Sequence, residues 1–231
     1  NEEAKNRVMQ LGEKRETIYV IGSPDIDIMY SNDLPSITKA KQRYDIAYEE
    51  YGILMYHPVT TEINQLEGNI REVVDAVIKS GKKYVVIYPN NDEGSQVILN
   101  EYIRLERNNN FRIFPSIRFE YFLTLLCNAD FIIGNSSAGI REAEVYGVPA
   151  IDIGSRQQGR YDIDKSKSII YTEDNKFLIL SAIKSVSGLK FHNKASFGKG
   201  DSAEKFMRIL EEQTIWERSP QKHFVPLSIH K

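Results

Sequence analysis

Short apolar runs alternate along the chain with longer segments in which apolar residues recur at helical spacing. The short runs are rich in Ile, Val, Tyr and Phe, which favour strands. They predict strands at 17–22, 51–57, 84–88, 111–114, 131–134, 149–153 and 168–171. The longer segments predict helices at 64–80, 96–107, 118–128, 139–146, 176–187 and 202–213. This alternation is typical of βαβ units and a parallel sheet.

The segment 64–80 shows the helical spacing most clearly. Its apolar residues fall on one broad stripe, formed by Leu66, Ile70, Val73, Val74, Ala76 and Val77. A helix with such a stripe packs on a sheet. No internal repeat and no clear domain boundary is evident. The sequence therefore predicts one α/β unit, a doubly wound parallel sheet with helices on both faces.

The composition argues against some classes of binding partner. The 231 residues include 30 Lys and Arg against 32 Asp and Glu, a net charge of −2. Nucleic acid or an anionic membrane would require a clear excess of cations, so we expect neither as a partner, whereas one small anion site is compatible. No apolar run approaches the roughly twenty residues of a membrane span. The single cysteine, Cys127, forms no intrachain disulfide, so a reducing cytoplasm is expected, and no spacing indicates a metal site.

The stretch 131–160, FIIGNSSAGIREAEVYGVPAIDIGSRQQGR, is the most informative for chemistry. A predicted strand ends at Gly134, a turn offers Asn135, Ser136 and Ser137, and a helix follows. Ligands of parallel sheets bind outside the carboxyl ends of the strands, where the N–H groups of a helix start attract phosphate. Two hydroxyls beside such a start would suit a diphosphate. Capping of the helix by either serine is an equally good interpretation.

Two charged residues extend this candidate site. Glu142 lies in the predicted helix, where its carboxylate could accept hydrogen bonds from vicinal ribose hydroxyls or could merely stabilise the first turn. Arg156 follows the strand 149–153, where it could neutralise a phosphate or pair with a surface carboxylate.

Three other strand ends carry further candidates. His57 ends the strand 51–57, where an imidazole could donate to a phosphate or act as an acid near neutral pH. A buried structural histidine is the competing hypothesis. The strand ends at 89–92 and 114–117 complete the rim and could contact a base or a sugar.

A resemblance to a known family rests on these residues. The run GNSSAGIREAEVYGVPAIDIGSRQQGR resembles the nucleotide-binding motif of the UDP-N-acetylglucosamine 2-epimerases. HPVTTE, at 57–62, resembles the hydrolysing branch, which makes N-acetylmannosamine and UDP for sialic acid synthesis, more than the HRRE-type run of the non-hydrolysing enzymes. The resemblance covers nearly the whole chain.

The resemblance implies a Rossmann-like domain, the second half of a two-domain GT-B type enzyme. It divides the chain into a linker and helix at 1–15, a core at 16–187 and a closing helix and tail at 188–231. The proton-transfer acids of the family belong to its first domain, which has no counterpart in this sequence. The expected partners are a UDP-sugar, that first domain and a second copy in a homodimer, with no cofactor.

The resemblance also implies a role for each candidate residue. His57 would be the catalytic residue near the diphosphate. The UDP-binding residues would be Ser136 and Ser137 on the diphosphate, Glu142 on the ribose, Arg156 in the cleft, and Asn90 with the backbone around Ile117 on the uridine side. The implied reaction is anti elimination of UDP to give a 2-acetamidoglucal, followed by addition of water and reprotonation at C2 with the opposite configuration.

Other functions stay open at the level of the sequence. A relative of this family could act on GDP-N-acetylglucosamine or on a UDP-linked 4-acetamido-4,6-dideoxy sugar. A GT-B glycosyltransferase and a non-enzymatic nucleotide-binding module would also use such a domain. Because the proton-transfer acids are absent, we expect the 231-residue chain by itself to bind UDP weakly and to be inactive.

Overall fold

The computed structural model describes residues 1–162, 166–192, 197–219 and 221. They form two compact units, one of residues 34–192 and one of residues 1–33 with those from 197 onward. Within the described residues, the larger unit holds six strands: β1 (Gly52–Met55), β2 (Tyr84–Ile87), β3 (Phe111–Phe114), β4 (Phe131–Gly134), β5 (Ala150–Ile153) and β6 (Ile169–Thr172). The division predicted at 15 and 187 stays a prediction.

All strand pairs are parallel, in the order β3-β2-β1-β4-β5-β6. The chain runs outward from β1 through β2 to β3, then returns to β4 on the other side of β1 and continues outward to β6. This order is that of a doubly wound Rossmann sheet, and its switch point lies between β1 and β4. The predicted parallel sheet is confirmed.

Two groups of helices pack around the sheet. The bounds are α3 (Ile37–Arg43), α4 (Leu66–Ser80), α5 (Ser95–Glu106), α6 (Phe119–Cys127), α7 (Glu142–Tyr146) and α8 (Lys176–Ser185). Helix α4 packs against α5 and α8, while α6 packs against α3 and α7. All six residues of the predicted α4 stripe are buried, which confirms the sheet-packing face.

Aromatic side chains fix the amino ends of the central strands. The ring of Tyr84 stacks on Phe111 at a centroid distance of 5.5 Å and meets Phe131 edge to face at 5.9 Å. Gly52 leaves room for this cluster, because a Cβ atom there would lie 2.7 Å from the ring of Phe131. This cluster packs the amino ends of the four strands β1, β2, β3 and β4 against one another.

The smaller unit consists of helices α1 (Glu2–Gln10), α2 (Pro24–Met29), α9 (Ser202–Glu211) and α10 (Gln213–Trp216) among its described residues. Its two chain segments meet through the N–H of Ser23, which donates to the carbonyl of Phe197 at 2.8 Å. Of the closing helix and tail predicted at 188–231, residues 193–196, 220 and 222–231 lie outside the described residues.

The strand predicted at 17–22 is wrong. A single 3₁₀ turn at Arg15–Thr17 precedes an extended stretch that pairs with none of the described strands, and Gly22 adopts φ +93°. β-branched residues favour extended backbone, but a strand needs a partner for its hydrogen bonds. The short helices α2 and α3 were not predicted, because they span fewer than two turns of apolar pattern.

None of the helices in the described part of the chain has the length and apolar character of a membrane span.

Candidate functional site

A cleft of about 330 Å³ opens at the carboxyl ends of β1, β2 and β3. His57, Asn90 and Ile117, each predicted from a different strand end, line it together. Its other walls are largely apolar and include Pro115 and Phe122. A mostly apolar cleft with a few polar side chains has the usual composition of a small-molecule site.

A larger cavity of about 640 Å³ lies at the opposite edge of the sheet, beside Tyr51 and Gly52 at the amino end of β1. Its lining mixes acidic and basic side chains, among them Glu50, Lys82 and Asp130. Ligands of doubly wound sheets bind at the carboxyl edge. We therefore assign the candidate site to the smaller cleft and the adjoining turn after β4.

His57 is buried and held at three of its atoms. Its backbone N–H donates to Oδ1 of Asn135 at 2.7 Å, and its carbonyl accepts from Nδ2 of the same residue at 2.8 Å. Its Nδ1 accepts from the backbone N–H of Asn90 at 3.1 Å. Since Nδ1 is an acceptor, the neutral ring carries its proton on Nε2.

The electrostatic surroundings keep this ring neutral. Burial, followed by the positive charge of Arg156, lowers the pKa of His57 to about 4, while Asp92 acts in the opposite direction. At neutral pH the imidazole is a hydrogen-bond donor through Nε2 rather than a cationic acid. A bound diphosphate would add negative charge nearby and favour the protonated form.

The turn after β4 depends on a close approach of two backbones. Gly134 has φ +132°, and a Cβ atom there would lie 2.0 Å from the carbonyl oxygen of Met55. The next residue, Asn135, donates its own N–H to that oxygen at 3.1 Å. Only glycine fits, so this residue fixes the path of the chain into the serine turn.

The serine turn differs from its prediction. Residues Ser137–Gly139 form a 3₁₀ turn, and Oγ of Ser136 accepts from the N–H of Ala138 at 3.3 Å. The carbonyl of Ser137 accepts from two following N–H groups, those of residues 140 and 141. The helix predicted at 139–146 is wrong at its start, since α7 begins only at Glu142.

This correction changes how an anion could be held. A five-residue helix has little macrodipole, and tight 3₁₀ hydrogen bonding uses N–H groups that a longer α-helix would leave available. Ser136 acts as the cap of this turn, which is what the capping interpretation of the two serines predicts. Glu142 lies at the first position of α7, half-buried, rather than three or four residues inside a helix.

Arg156 is half-buried in the loop after β5. Its Nη1 donates to the carbonyl of Asn135 at 3.1 Å, so its guanidinium lies at the exit of β4. No ion pair with Arg156 occurs among residues 1–162, 166–192, 197–219 and 221. Burial and the nearby Arg160 lower its pKa, but a guanidinium stays charged.

The sequence placed Asn135 in the turn and Gln157 in the loop after β5, but it predicted no role for either. Gln157 is fully buried, and its Nε2 donates to the carbonyl of Asn135 at 2.7 Å, beside the bond from Arg156. A buried amide next to a polar, glycine-rich loop looks like any exposed loop residue in a sequence. Only its position after the carboxyl end of a predicted strand indicated that it could lie near a site.

Two acidic residues, Glu62 and Asp174, accept hydrogen bonds around the exits of β1 and β5. Ser155 donates to Glu62, and Tyr56 donates to Asp174 at 2.6 Å. Burial raises the pKa of Asp174, and Glu62 contributes in the same direction. The first contact connects the HPVTTE segment to the exit of β5, and the second connects the end of β1 to the exit of β6.

Another hydrogen bond joins the loop after β5 to β5 itself. Tyr161 donates to Asp152 at 2.8 Å, and this carboxyl belongs to β5 itself. Burial raises the pKa of Asp152 to about 6; the hydrogen bond from Tyr161 opposes this rise, and the charge of Asp174 adds to it.

The structure thus brings part of the predicted site together. His57, Asn90 and Ile117 line one cleft, and Asn135 joins His57 to Arg156 by hydrogen bonds. The predicted residues Ser136, Ser137, Glu142 and Arg156 lie outside the lining of that cleft. Ser136 and Ser137 follow Asn135 directly in the chain.

Residues 1–211 match the family model of UDP-N-acetylglucosamine 2-epimerase. The chain belongs to the UDP-N-acetylglucosamine 2-epimerase family. It is 46% identical over 233 residues to a UDP-N-acetylglucosamine 2-epimerase of Neisseria meningitidis serogroup B, with 99% of this chain covered. It is 28% identical to a UDP-N,N'-diacetylbacillosamine 2-epimerase (hydrolyzing) of Legionella pneumophila and 31% identical to the polysialic acid biosynthesis protein P7 of Escherichia coli, with 91% and 84% of this chain covered.

The chain spans 61%, 55% and 52% of the length of these three relatives. A solved UDP-N-acetylglucosamine 2-epimerase from Neisseria meningitidis, bound to UDP-N-acetylglucosamine, is similar with a TM-score of 0.71 at 16% identity. The likeness covers 91% of this chain and 59% of that one. Because the identity is only 16%, the similarity is evidence for the fold alone. It confirms a Rossmann-like domain that forms one part of a GT-B type architecture.

Proposed function

We propose that this chain is the nucleotide-binding part of a hydrolysing UDP-N-acetylglucosamine 2-epimerase. The enzyme would convert UDP-N-acetylglucosamine into N-acetylmannosamine and UDP for the synthesis of sialic-acid-type sugars. The observation that carries the proposal is the neutral His57 ring at the switch point, with Asn90 on Nδ1 and the proton on Nε2. It lines a cleft of suitable size and lies one hydrogen-bonded residue from Arg156.

The hydrolysing reaction and its pathway rest on more specific support. The HPVTTE segment resembles the hydrolysing branch, and its first and last residues, His57 and Glu62, both take part in the bonding around the switch point. One relative is named as a hydrolysing 2-epimerase, and another as a polysialic acid biosynthesis protein.

Each site residue has a role in this proposal. Asn90 and the backbone at Ile117 would hold the uracil and ribose end in the apolar cleft. Glu142 would accept hydrogen bonds from the ribose hydroxyls, and Ser136 and Ser137 would bind the diphosphate. The donors nearest the leaving group would be Nε2 of His57 and the Arg156 guanidinium.

The first step breaks two bonds. A base removes the proton on C2 while the C1–O bond to the diphosphate breaks, which leaves a 2-acetamidoglucal and UDP. Negative charge develops on the diphosphate, and preorganised donors stabilise it more strongly in the transition state than in the ground state. In the second step water adds its oxygen to C1, and a proton is delivered to C2 on the opposite face. The groups that move the C2 proton would come from the part of the relatives that this chain does not span.

A related sugar is the second candidate, because a relative at 28% identity is named for UDP-N,N'-diacetylbacillosamine. The residues that distinguish the 4-position of the sugar would lie mostly in the part of the relatives that this chain does not span. The uridine end of the site would be the same for both sugars.

The test uses the full-length protein that carries this chain, incubated with UDP-N-acetylglucosamine and followed by NMR. Equal amounts of UDP and N-acetylmannosamine support the hydrolysing reaction. UDP-N-acetylmannosamine as the product would instead show a non-hydrolysing epimerase. Parallel incubations contain GDP-N-acetylglucosamine, the UDP-linked diacetylbacillosamine and a sugar acceptor, so that a different substrate or a transferase would be detected.

The matched variants are His57→Asn and His192→Asn. Asparagine places Oδ1 where the imidazole has Nδ1, so the bond from Asn90 is kept while the Nε2 donor is lost. We expect kcat to fall about 100-fold, the typical effect of one lost transition-state donor. His192 is exposed, and its variant should keep the wild-type rate. An unchanged rate in His57→Asn would contradict the assigned role.

A further inference from the structure

Asn135, which directly follows β4, is joined by hydrogen bonds to the exits of β1 and β5. Its side-chain amide bonds to both backbone groups of His57, after β1. Its carbonyl accepts from Arg156 and Gln157, after β5, and its N–H donates to Met55. The Nδ1 bond from Asn90 extends the network to the exit of β2.

The amide makes a two-point contact that fixes orientation. Oδ1 accepts and Nδ2 donates at 2.7 and 2.8 Å, so the amide plane and the His57 backbone lock each other. An ionised carboxylate could only accept, and a hydroxyl would have to make both bonds from a single oxygen instead of from two separate atoms. Asn135 is 1% exposed, so water cannot replace the missing partner without entering the core.

The backbone carbonyl of Asn135 makes the second set of hydrogen bonds. It accepts from two side chains at once, a guanidinium at 3.1 Å and a fully buried amide at 2.7 Å. The buried Gln157 fixes the direction of that carbonyl, and the half-buried Arg156 follows it. A shift of Asn135 would therefore move the Arg156 guanidinium through the carbonyl, and the His57 backbone with its imidazole through the side-chain amide.

We propose that Asn135 is a positioning residue that holds the His57 imidazole through its side chain and the Arg156 guanidinium through its carbonyl. The inference rests on the proposed function, since it assigns both donors to the leaving diphosphate. Asn135 touches neither substrate nor reacting atoms in this proposal. It acts by keeping the two donors in one fixed geometry, on which transition-state stabilisation depends.

The experiment compares the wild-type full-length protein with Asn135→Ala and Asn128→Ala. Asn128 is exposed at the end of α6, and its amide also donates to a backbone carbonyl, that of Thr124 at 2.9 Å. Three quantities are measured for each protein: kcat and KM for UDP-N-acetylglucosamine, the melting temperature, and the ¹⁵N chemical shifts of the His57 ring nitrogens.

For Asn135→Ala we expect kcat to fall by about 100-fold, as for a small misplacement of a catalytic group, and KM to change far less. The ¹⁵N shifts of His57 should move, because the bond from Asn90 to Nδ1 no longer has a fixed geometry. Asn128→Ala should match the wild type in kcat and in ¹⁵N shifts. A lower melting temperature with wild-type kcat and wild-type His57 shifts would overturn the proposal.

The ¹⁵N measurement requires no turnover, so it separates this inference from the proposed function. If the wild type does not epimerise the substrate, unchanged His57 shifts in Asn135→Ala still refute positioning, and moved shifts still support it. If Asn135→Ala does not fold, Gln157→Met is used, which removes the Nε2 donor and leaves the Asn135 side chain in place. Moved His57 shifts in that variant support the proposal, and unmoved shifts overturn it.

Discussion

The state of His57 follows from its bonds rather than from its type. A histidine at a strand end suggested an acid near neutral pH. Burial and the charge of Arg156 hold its pKa near 4, and its Nδ1 is occupied by the N–H of Asn90. The ring is therefore a neutral donor at neutral pH. The backbone bonds of His57 fit the hypothesis of a buried structural histidine, and a functional role for its Nε2 stays a prediction.

This pKa makes a prediction about stability. The unfolded state binds a proton on His57 below about pH 6.5, whereas the folded state does so only near pH 4. Stability should therefore fall as the pH drops through this window, by about 2 kcal/mol between pH 7 and pH 5 from this group alone. Urea unfolding at both pH values measures it. His57→Asn should lose that part of the pH dependence, and the exposed His192→Asn should retain it.

Gly134 gives a second prediction at the scale of one residue. A methyl group at φ +132° would collide with the carbonyl of Met55, which also accepts from Asn135. We expect Gly134→Ala to lower the free energy of unfolding by at least about 3 kcal/mol. Gly68→Ala is the control, since nothing lies within 4 Å of its Cβ position in the exposed part of α4. That control should stabilise the protein by about 0.5–1 kcal/mol, and a similar effect of both changes would refute the explanation.

At the scale of elements, the strongest local patterns predicted best. The α4 stripe and the six strands of the sheet carry continuous apolar periodicity, and the structure contains all of them. The error at 17–22 shows the limit of this argument, because a β-branched run supplies a preference but not a partner. The error at 139–146 has a different cause, since a 3₁₀ turn and an α-helix share nearly the same apolar spacing over a few residues.

The start of α9 supports a prediction at this scale. Asp27 accepts from the backbone N–H groups of Ser202 and Ala203, at 3.1 and 2.8 Å, and from the Ser202 hydroxyl at 2.7 Å. Burial raises its pKa, but these bonds outweigh that effect and the net pKa is lowered. Its contribution is present above the unfolded pKa of 3.8 and is lost as the pH falls through the lower folded pKa.

We expect Asp27→Asn to cost about 1 kcal/mol of stability at neutral pH, the usual value of a helix cap. Asp33→Asn, at an exposed carboxylate of the same unit, should cost little. Thermal unfolding monitored by helical circular dichroism measures both changes. Equal melting temperatures for the two variants would show that the cap does not stabilise α9.

At the scale of the whole molecule, the chain and its relatives differ in length. It spans 61% of the relative to which it is 46% identical. We expect the 231-residue chain to bind UDP more weakly than the full-length protein and to release no N-acetylmannosamine. Isothermal titration with UDP and the NMR assay measure these two quantities. Turnover by the 231-residue chain would refute the assignment of the C2 proton transfer to the part it does not span.

The sequence by itself determined the sheet class, the six strands of the sheet and the family, because these depend on local periodicity and on short runs of residue types. It also located five strand exits that carry polar residues. Tertiary structure decided which exits adjoin: the switch point puts the end of β1 beside that of β4, 78 residues later in the chain. The pKa of His57 and the hydrogen bonds of Asn135 arise from that juxtaposition, since burial and long-range bonds have no counterpart in local sequence.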